Sequence, residues 1–382
     1  MSHQAAAAGL PRAYDGATMS VPTLDLKGSP FDFGLTHGQA FRAAIRAYAT
    51  ERVALAGGAA WTGRELSRRG VLALAEACLE AHRAYAPDLV TELEGMARAT
   101  DLSLAELVIV GGFTDFIDTV AATGPSAVLE TAAVDDCTAF LVPGARMADG
   151  AAAFGQTWDM HEDSTEHVVM LRGRPKDAPD FLTFTTAGAL AMIGMNEAGL
   201  SVGINNLMSA DGRTGVTWPF VVREMLKAED LEGALAALAR APLAGGHNYL
   251  VLDASGAGAN VEAMPTASHV VRLGERAVAH TNHNLDAGTK AVERPREPSS
   301  QASSEARLAD AERLLDRQGL TVEDLQSVTR HTGTICYRGS APKYVGTCGG
   351  VVARPRTREL WAVKGLPSEG AYERFAFEAT PA

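Results

Sequence analysis

The chain has 382 residues, of which 46% are hydrophobic and 21% charged, values typical of a folded globular protein with one large domain or two ordinary ones. Its formal net charge of −12, with no stripe of clustered Lys and Arg, argues against a general nucleic-acid-binding role. No window approaches the ~18 apolar residues of a membrane span, and the N-terminal stretch does not have the pattern of a secretory signal. We therefore expect a cytoplasmic protein that binds neither membranes nor nucleic acid.

Up to about residue 135, helix signals dominate the chain. A short strand-like "VPTLDL" comes first, and "FDFGLTHGQAFRAAIRAYATERVALAGG" predicts one helix ending at the pair Gly57 and Gly58. Pro87 and Asp88 mark the start of a second helix, and "SLAELVIVGGF" predicts a third. The low-complexity "AATGPSAVLETAAV" predicts a loop that leads to Cys137.

After Cys137 the pattern changes to strands. "CTAFLVPGARMADGAAAFGQTWD" predicts two strands, and hairpins are predicted around the turns 196–199 and 253–256. Helices are predicted in "WPFVVREMLKAEDLEGALAALARAP", in a serine-capped "SSEARLADAERLLDRQG" and in "TVEDLQSVTRH". Residues 286–302 predict a polar surface loop, and "TCGGVVARPRTRELWAVKG" a last strand pair. Segregated helices and antiparallel strands indicate an α+β fold, and strands that are apolar on both faces favour a helix–sheet–sheet–helix sandwich.

The four cysteines are scattered and form no CxxC pair, so neither a zinc ribbon nor a disulfide framework is expected. Three of them, Cys78, Cys336 and Cys348, are interpreted as packing residues. Cys137 differs because it lies where the loop-rich segment meets the first strand of the β half. A cut before Cys137 would give it an α-amino group with a pKa of about 7.7–8.0, and a neutral amine can act as the general base for the thiol.

A nucleophile of this kind needs an oxyanion hole and orienting groups. Asp159 ends the strand that follows Cys137, the pair Asn205 and Asn206 ends "GMNEAGLSVGINNL", and Asn282 lies between two histidines in "AHTNHNL". Amide side chains at strand ends are suited to donating hydrogen bonds to an oxyanion.

The ordered set of Cys-Thr, "GQTWD", "NEAGLSVGINNL", "HNYLVLDASG" and "HTNHNL" resembles the acyl-coenzyme A:isopenicillin N acyltransferase family of N-terminal nucleophile (Ntn) hydrolases. It is more distantly similar to the penicillin V acylase and bile salt hydrolase group. The opening "GSPFDFGLTHGQAFRAAI" also resembles that family's first motif, so the likeness extends over most of the chain.

The resemblance implies an αββα Ntn fold made as a precursor that cleaves itself before its nucleophile. The products would be a helical N-terminal segment, residues 1–136, and a catalytic core, residues 137–382, which remain associated. Carried over by position, Cys137 is the nucleophile, Asp159 orients it and Asn282 donates to the oxyanion. Asn205 matches a second polar contact near the nucleophile.

The sequence departs from its relatives at three points. Asp136 stands where glycine commonly precedes the cysteine, which makes the backbone at the scissile bond less permissive. Gln156 stands where the bile salt hydrolase group has an arginine, and an arginine near the C-terminal strands has only Lys343, or next Arg338, as a counterpart. Further supporting or substrate-binding candidates are Thr138, Asn206 and His283.

Four functions remain open from the sequence. The preferred one is hydrolysis of a small N-acyl amide through a thioester on Cys137 without a cofactor, and the runner-up is acyl transfer from a thioester donor, such as acyl-coenzyme A, to an amine. A zinc-dependent hydrolase is the second alternative, and a non-catalytic binding protein the third. The zinc alternative would use His280 and His283, together with His247, His269 or Asp159. The identity of the amide and a homo-oligomeric state are left open.

Overall fold

The fold, seen in a computed structural model, is described for residues 19–124, 136–340 and 344–377. The strands are β1 (Thr23–Lys27), β2 (Asp136–Val142), β3 (Ala153–His161), β4 (Val168–Arg174), β5 (Phe181–Thr186), β6 (Ile193–Asn196), β7 (Ser201–Leu207), β8 (Gly246–Leu252), β9 (Gly258–Ala263), β10 (Ser268–Arg272), β11 (Val278–His280), β12 (Val345–Arg354), β13 (Glu359–Lys364) and β14 (Glu373–Ala376). The helices are α1 (Pro30–Ala40), α2 (Arg42–Ala56), α3 (Ala59–Thr62), α4 (Arg68–Tyr85), α5 (Pro87–Thr100), α6 (Leu104–Gly111), α7 (Phe113–Ala121), α8 (Trp218–Met225), α9 (Leu231–Ala239), α10 (Ala287–Lys290), α11 (Pro298–Leu315) and α12 (Val322–Thr329).

The strands form two sheets, and the predicted α+β sandwich is confirmed. One sheet has eight strands in the order β1-β4-β5-β6-β7-β8-β9-β10, and the other has six in the order β11-β2-β3-β12-β13-β14. All pairings are antiparallel except that of β1 with β4, so the N-terminal segment adds an edge strand as well as helices. Strand β2 packs across the sandwich against β7 and β8.

Helices cover both outer faces. Helices α11 and α12 pack on the six-stranded sheet, where Phe140 and Val142 of β2 share an apolar cluster with Ala311 and Leu315 of α11. Helices α8 and α9 pack on β7 and β8, and α1 packs on β1. The main core, which includes Cys137, lies between the sheets and under the N-terminal helices. This arrangement is the αββα layering that the sequence indicated.

Two helix predictions are wrong in their bounds. The first predicted helix is divided at Phe41 into α1 and α2, because α1 packs so closely on α5 that a Cβ at Gly34 would lie 1.7 Å from the Glu92 carbonyl oxygen. Helix α11 begins at Pro298 instead of near Ser303, since proline is well suited to the first helical position. The predicted loop 286–302 therefore contains α10 and the start of α11, and no serine caps α11.

The remaining elements agree with the sequence patterns, with some additions. Both hairpins turn where predicted, and α5, α6, α8, α9 and α12 form in the predicted segments. The patterns do not predict β4, β5, β10 or β14. The predicted loop before Cys137 lies mostly outside the described residues. Within the described ranges, no helix is long and apolar enough to cross a membrane.

Candidate active site

Strands β2 and β3 position the candidate nucleophile. Cys137 pairs with Trp158, and Asp136 pairs with Asp159. Because side chains alternate between the two faces of a strand, Cys137 faces the space between the sheets, whereas Asp136 and Asp159 face helix α11. Cys137 is completely buried. The two residues that flank the predicted cleavage point thus present their side chains to different layers of the sandwich.

Asn282, in the loop after β11, connects Cys137 to the opposite sheet. Its Oδ1 accepts the Cys137 backbone N–H at 2.7 Å, and its Nδ2 donates to the Asn206 carbonyl oxygen of β7 at 3.1 Å. The Asn282 backbone N–H donates to Ser304 Oγ at 2.9 Å, which fixes the loop on α11. An amide nitrogen carries two hydrogens, so Nδ2 keeps one that could serve an oxyanion.

Arg307 of α11 is the main residue at this site that the sequence did not identify. The side chain is fully buried, and its Nη1 donates to the Cys137 carbonyl oxygen at 2.5 Å and to Thr138 Oγ1 at 3.3 Å. Its Nη2 donates to Asn282 Oδ1 at 3.0 Å. The sequence does contain a pattern that could have indicated Arg307. One buried face of the helix carries residues at every third or fourth position: Ser304, Arg307, Ala311 and Leu315.

Among the described residues, the buried basic side chain that contacts the Cys137 backbone is Arg307 of α11. Lys343, the first sequence candidate, lies outside the described residues. Arg338, the second candidate, is half exposed and pairs with Glu369 at 2.6 Å.

The Asp136 carboxylate sits in a cradle formed by Arg296, Arg307 and Tyr337. Its Oδ1 lies 3.0 Å from Arg296 Nη2 and 3.1 Å from Arg307 Nη2, and its Oδ2 accepts from the Tyr337 hydroxyl at 3.3 Å. Burial, followed by the charges of Asp136 and Asp159, raises the pKa of Tyr337 well above its usual value, so this phenol stays a neutral donor. We call these three residues the Asp136 cradle.

Asp159 is buried beside this cradle without a hydrogen bond of normal geometry to either carboxylate oxygen from the described residues. Burial raises the pKa of Asp159 to about 8, and the nearby Asp136 charge adds to the shift. Arg307 and the Thr347 hydroxyl oppose it, although Thr347 Oγ1 is directed at the Ile335 carbonyl oxygen. In the uncut chain Asp159 is therefore mostly a neutral carboxylic acid at pH 7.

Gln156 does not replace the arginine of the bile salt hydrolase group in function, because it joins the two sheets. Its Oε1 accepts from the Ile204 N–H at 3.1 Å, and its Nε2 donates to the Ile204 carbonyl oxygen. A Cβ at Gly203 would lie 2.4 Å from Gln156 Oε1, so glycine is required for this close approach. The amide thus links the sheets two residues along β3 from Trp158.

Asn205 lies on the same inward face of β7 as Gly203. Its Oδ1 accepts from Asn248 Nδ2 at 3.2 Å, and Asn248 also donates to Asn260. The Asn205 Nδ2 is buried and has no hydrogen-bond partner in the described part of the chain. This geometry leaves Asn205 as a second group that could donate to a reacting oxygen.

The other supporting candidates have structural contacts. Thr138 accepts from Arg307, and Asn206 contributes its backbone carbonyl to Asn282. His283 Nδ1 lies 2.8 Å from Ser304 Oγ. Burial lowers the pKa of His283 to about 4, so its ring is neutral at pH 7.

The histidines of the zinc alternative make contacts with different side chains. His280 contacts Glu262 at 2.9 Å, His247 contacts Thr114 at 3.1 Å, and His269 lies 3.4 Å from Asp286. Across the described ranges, no group of three or more His, Cys, Asp or Glu side chains is arranged to hold a metal ion. The geometry gives the zinc alternative no ligand set there.

Within the described residues, a small cavity lies beside the strand partner of Cys137. A cavity lined by Trp158, the strand partner of Cys137, together with Arg52, Thr114 and Trp218 has a volume of about 20 Å³, enough for a single water. Two larger clefts, of about 810 and 760 Å³, are lined by other parts of the fold and do not include Cys137, Asp159 or Asn282.

The raised pKa of Asp159 predicts a pH-dependent stability. The folded chain holds this proton up to about pH 8 whereas an unfolded Asp releases it near 3.8, so this group makes the fold less stable as pH rises between those values. We compare Cys137→Ala/Asp159→Asn with Cys137→Ala by urea denaturation at pH 5 and pH 8.5. The unfolding free energy of the double variant relative to its parent should be higher at pH 8.5 than at pH 5 by at least about 1 kcal/mol. Asp324→Asn is the control and should give the same difference at both pH values, because the pKa of Asp324 is lowered. A pH-independent effect of Asp159→Asn would contradict the assignment.

Comparison with known proteins identifies the family. Residues 146–369, more than half of the chain, match the family model described as acyl-coenzyme A:6-aminopenicillanic acid acyl-transferase, a match that begins nine residues after Cys137. Penicillin V acylase from Agrobacterium tumefaciens is a similar solved structure, with 15% identity, a TM-score of 0.40, and coverage of 60% of this chain and 83% of its own. A variant of conjugated bile acid hydrolase from Clostridium perfringens gives 11% identity, a TM-score of 0.44, and coverage of 64% and 98%. No conclusion about activity rests on those two likenesses. On the family match, the chain belongs to the acyl-coenzyme A:6-aminopenicillanic acid acyl-transferase family and is an enzyme.

Proposed function

We propose that this enzyme is a cysteine Ntn amidohydrolase that cuts its own chain between Asp136 and Cys137 and then hydrolyses a small N-acyl amide. The observation that carries the proposal is the set of contacts around one peptide bond. Asn282 Oδ1 holds the Cys137 nitrogen, which is the leaving group, while Arg307 holds the Cys137 carbonyl and the Asp136 carboxylate. A purely packed cysteine would not need a buried arginine and a buried amide fixed to its own backbone.

The first reaction is self-cleavage. The Cys137 thiol adds to the Asp136 carbonyl carbon, its proton passes to the Cys137 nitrogen, and the C–N bond breaks to give a thioester and a new amine. Water then adds to the thioester, which releases the Asp136 α-carboxylate and restores the thiol. The net change is one peptide bond and one water converted to a carboxylate and an ammonium group.

The second reaction repeats this chemistry on a substrate. In the cut chain the Cys137 α-amine accepts the thiol proton, and the thiolate attacks the substrate carbonyl. The proposed oxyanion donors are the spare hydrogen of Asn282 Nδ2 and the Nδ2 of Asn205, which has no hydrogen-bond partner among the described residues. The proposed role of Asp159 is to hold the new amine, and its position one residue along β3 from the strand partner of Cys137 supports this role.

The acyl group then leaves the thioester by hydrolysis. Water is present at ~55 M and needs no dedicated site, and the chain has no phosphate-cradling glycine loop for a coenzyme A donor. Acyl transfer is the second candidate, because the name of the matched family specifies a coenzyme A donor and a transferase. The two functions share the Cys137 thioester and differ in the group that removes it.

The proposal predicts self-cleavage. Wild-type protein should resolve by intact-mass spectrometry into chains 1–136 and 137–382, whereas Cys137→Ala should remain a single chain. The two pieces should purify together, since β1 of the first is hydrogen-bonded to β4 of the second. A wild-type chain that stays uncut after prolonged incubation would count against the proposal.

Asn282→Ala should lower turnover of an amide substrate by ~10²–10³, the usual effect of removing one oxyanion donor. Asn284→Ala is a matched control on the same loop, because that amide is also buried but donates to the Thr289 carbonyl oxygen. The rates should be compared per cleaved chain, after circular dichroism has shown that both variants fold. Equal turnover in the two variants would remove Asn282 from the mechanism.

Hydrolysis and transfer can be separated with one set of reagents. Simple N-acyl amides should be hydrolysed without any added donor, and alkylation of the thiol should abolish the activity. When acyl-coenzyme A thioesters and free amines are also added, the amount of acylated amine should be smaller than the amount of free acid released by amide hydrolysis. Fast amine acylation that depends on the thioester, with slow hydrolysis of every amide, would reverse this order.

A further inference from the structure

The Asp136 cradle holds the residue that the nucleophile attacks first. Asp136 lies on the acyl side of the scissile bond, and its side chain is bound by two guanidinium groups and a phenol. The side chains of Arg296 and Arg307 are 1% and 0% exposed. Charged groups this deeply buried are almost always paired, so the cradle is built for a carboxylate.

Self-cleavage changes the occupant of this cradle. After the cut, any substrate carbonyl that the Cys137 thiol attacks must occupy the position that the Asp136 carbonyl has vacated. The acyl group of the substrate then takes the place of the Asp136 backbone and side chain. Without a carboxylate in that position, Arg296 and Arg307 would lose the buried acceptor oxygen that they share, which is unfavourable.

We infer that the Asp136 cradle binds a carboxylate on the acyl group of the substrate, so that the enzyme prefers amides whose acyl carbonyl is followed by a carboxylate three bonds away. The inference rests on the proposed function and specifies its substrate class. The carboxylate carbon of Asp136 is three bonds from its own carbonyl carbon, and the succinyl group has the same spacing. A butyryl group has the same length and ends in a methyl group.

The anion site can be tested without catalysis. In Cys137→Ala/Asp136→Gly the chain stays uncut and the aspartate side chain is absent, and acetate matches the deleted CH₂–COO⁻ group in size and charge. Acetate at 50 mM should raise the melting temperature by at least about 2 °C over equal ionic strength of chloride, whereas acetamide should not. If this variant fails to fold in chloride, the refolding yield in acetate against acetamide provides the same comparison.

Two further variants identify the site. Adding Arg296→Gln should remove the acetate shift, because it deletes one of the two guanidinium groups. Adding Arg313→Gln should keep the shift, because Arg313 lies on the exposed face of α11 and pairs with Asp310. An acetate shift that is absent, equal to that of acetamide, or insensitive to Arg296→Gln would overturn the inference.

The substrate preference is tested with wild-type, cleaved enzyme. N-succinyl p-nitroanilide should be hydrolysed with a kcat/KM at least about 100-fold above that of N-butyryl p-nitroanilide, since a buried site built for a polar group rejects the analogue without it. Arg296→Gln should reduce this ratio by at least about 10-fold, measured per cleaved chain, and Arg313→Gln should not change it.

The acetate and anilide experiments distinguish failure of the carboxylate preference from failure of the proposed function. Equal or reversed rates on the two anilides, with both reactions blocked by thiol alkylation, would overturn the inference and leave the proposed function intact. Alternatively, the uncut variant could bind acetate while the wild-type chain neither cuts itself nor hydrolyses amides. That result would overturn the proposed function, and with it the substrate preference.

Discussion

A buried arginine beside a peptide bond is the constraint on which the rest of the site depends. Arg307 reaches from α11 to the Cys137 carbonyl, to Asn282 and to Asp136, and its side chain is fully buried. Burying a guanidinium costs several kcal/mol unless its hydrogens are taken up, so these acceptors must stay in place together. The position of the nucleophile, the Asn282 loop and the residue before the cut are thereby fixed to one helix.

Two buried amide side chains, those of Gln156 and Asn282, hold the two sheets close together. Gln156 reaches across to Ile204 only because Gly203 has no side chain, and Asn282 makes a second connection through the Asn206 carbonyl. Both links use neutral amides, which can satisfy a donor and an acceptor in one plane without adding charge. Gln156 is neutral, so it brings no positive charge to Cys137. Among the described residues, that charge comes from Arg307, which lies on the α11 side of β2, opposite to Gln156.

The fold and part of the site could be predicted from the sequence, because the informative residues occur at strand ends. Asp159 and Asn282 follow short apolar runs, and the strand pairing brings both to Cys137. Arg307, Arg296 and Tyr337 could not be placed in this way, since they come from a helix face and from irregular segments whose positions depend on tertiary packing. The predicted serine cap of this helix was wrong for a similar reason. Ser304 lies inside α11, where its hydroxyl accepts a hydrogen bond from the Asn282 loop.

The balance of charge explains why an aspartate can precede the nucleophile. In the uncut site the Asp136 carboxylate is shared by two guanidinium groups, and burial keeps Asp159 mostly protonated. In the proposed reaction the cut adds an ammonium group at Cys137, and this favours loss of the Asp159 proton because an opposite charge close by stabilises the carboxylate. The amine and Asp159 would then titrate as a coupled pair, so the pH dependence of the cut enzyme belongs to both groups together. The same aspartate that makes the peptide bond less permissive therefore supplies the charge that lets two arginines be buried before the substrate arrives.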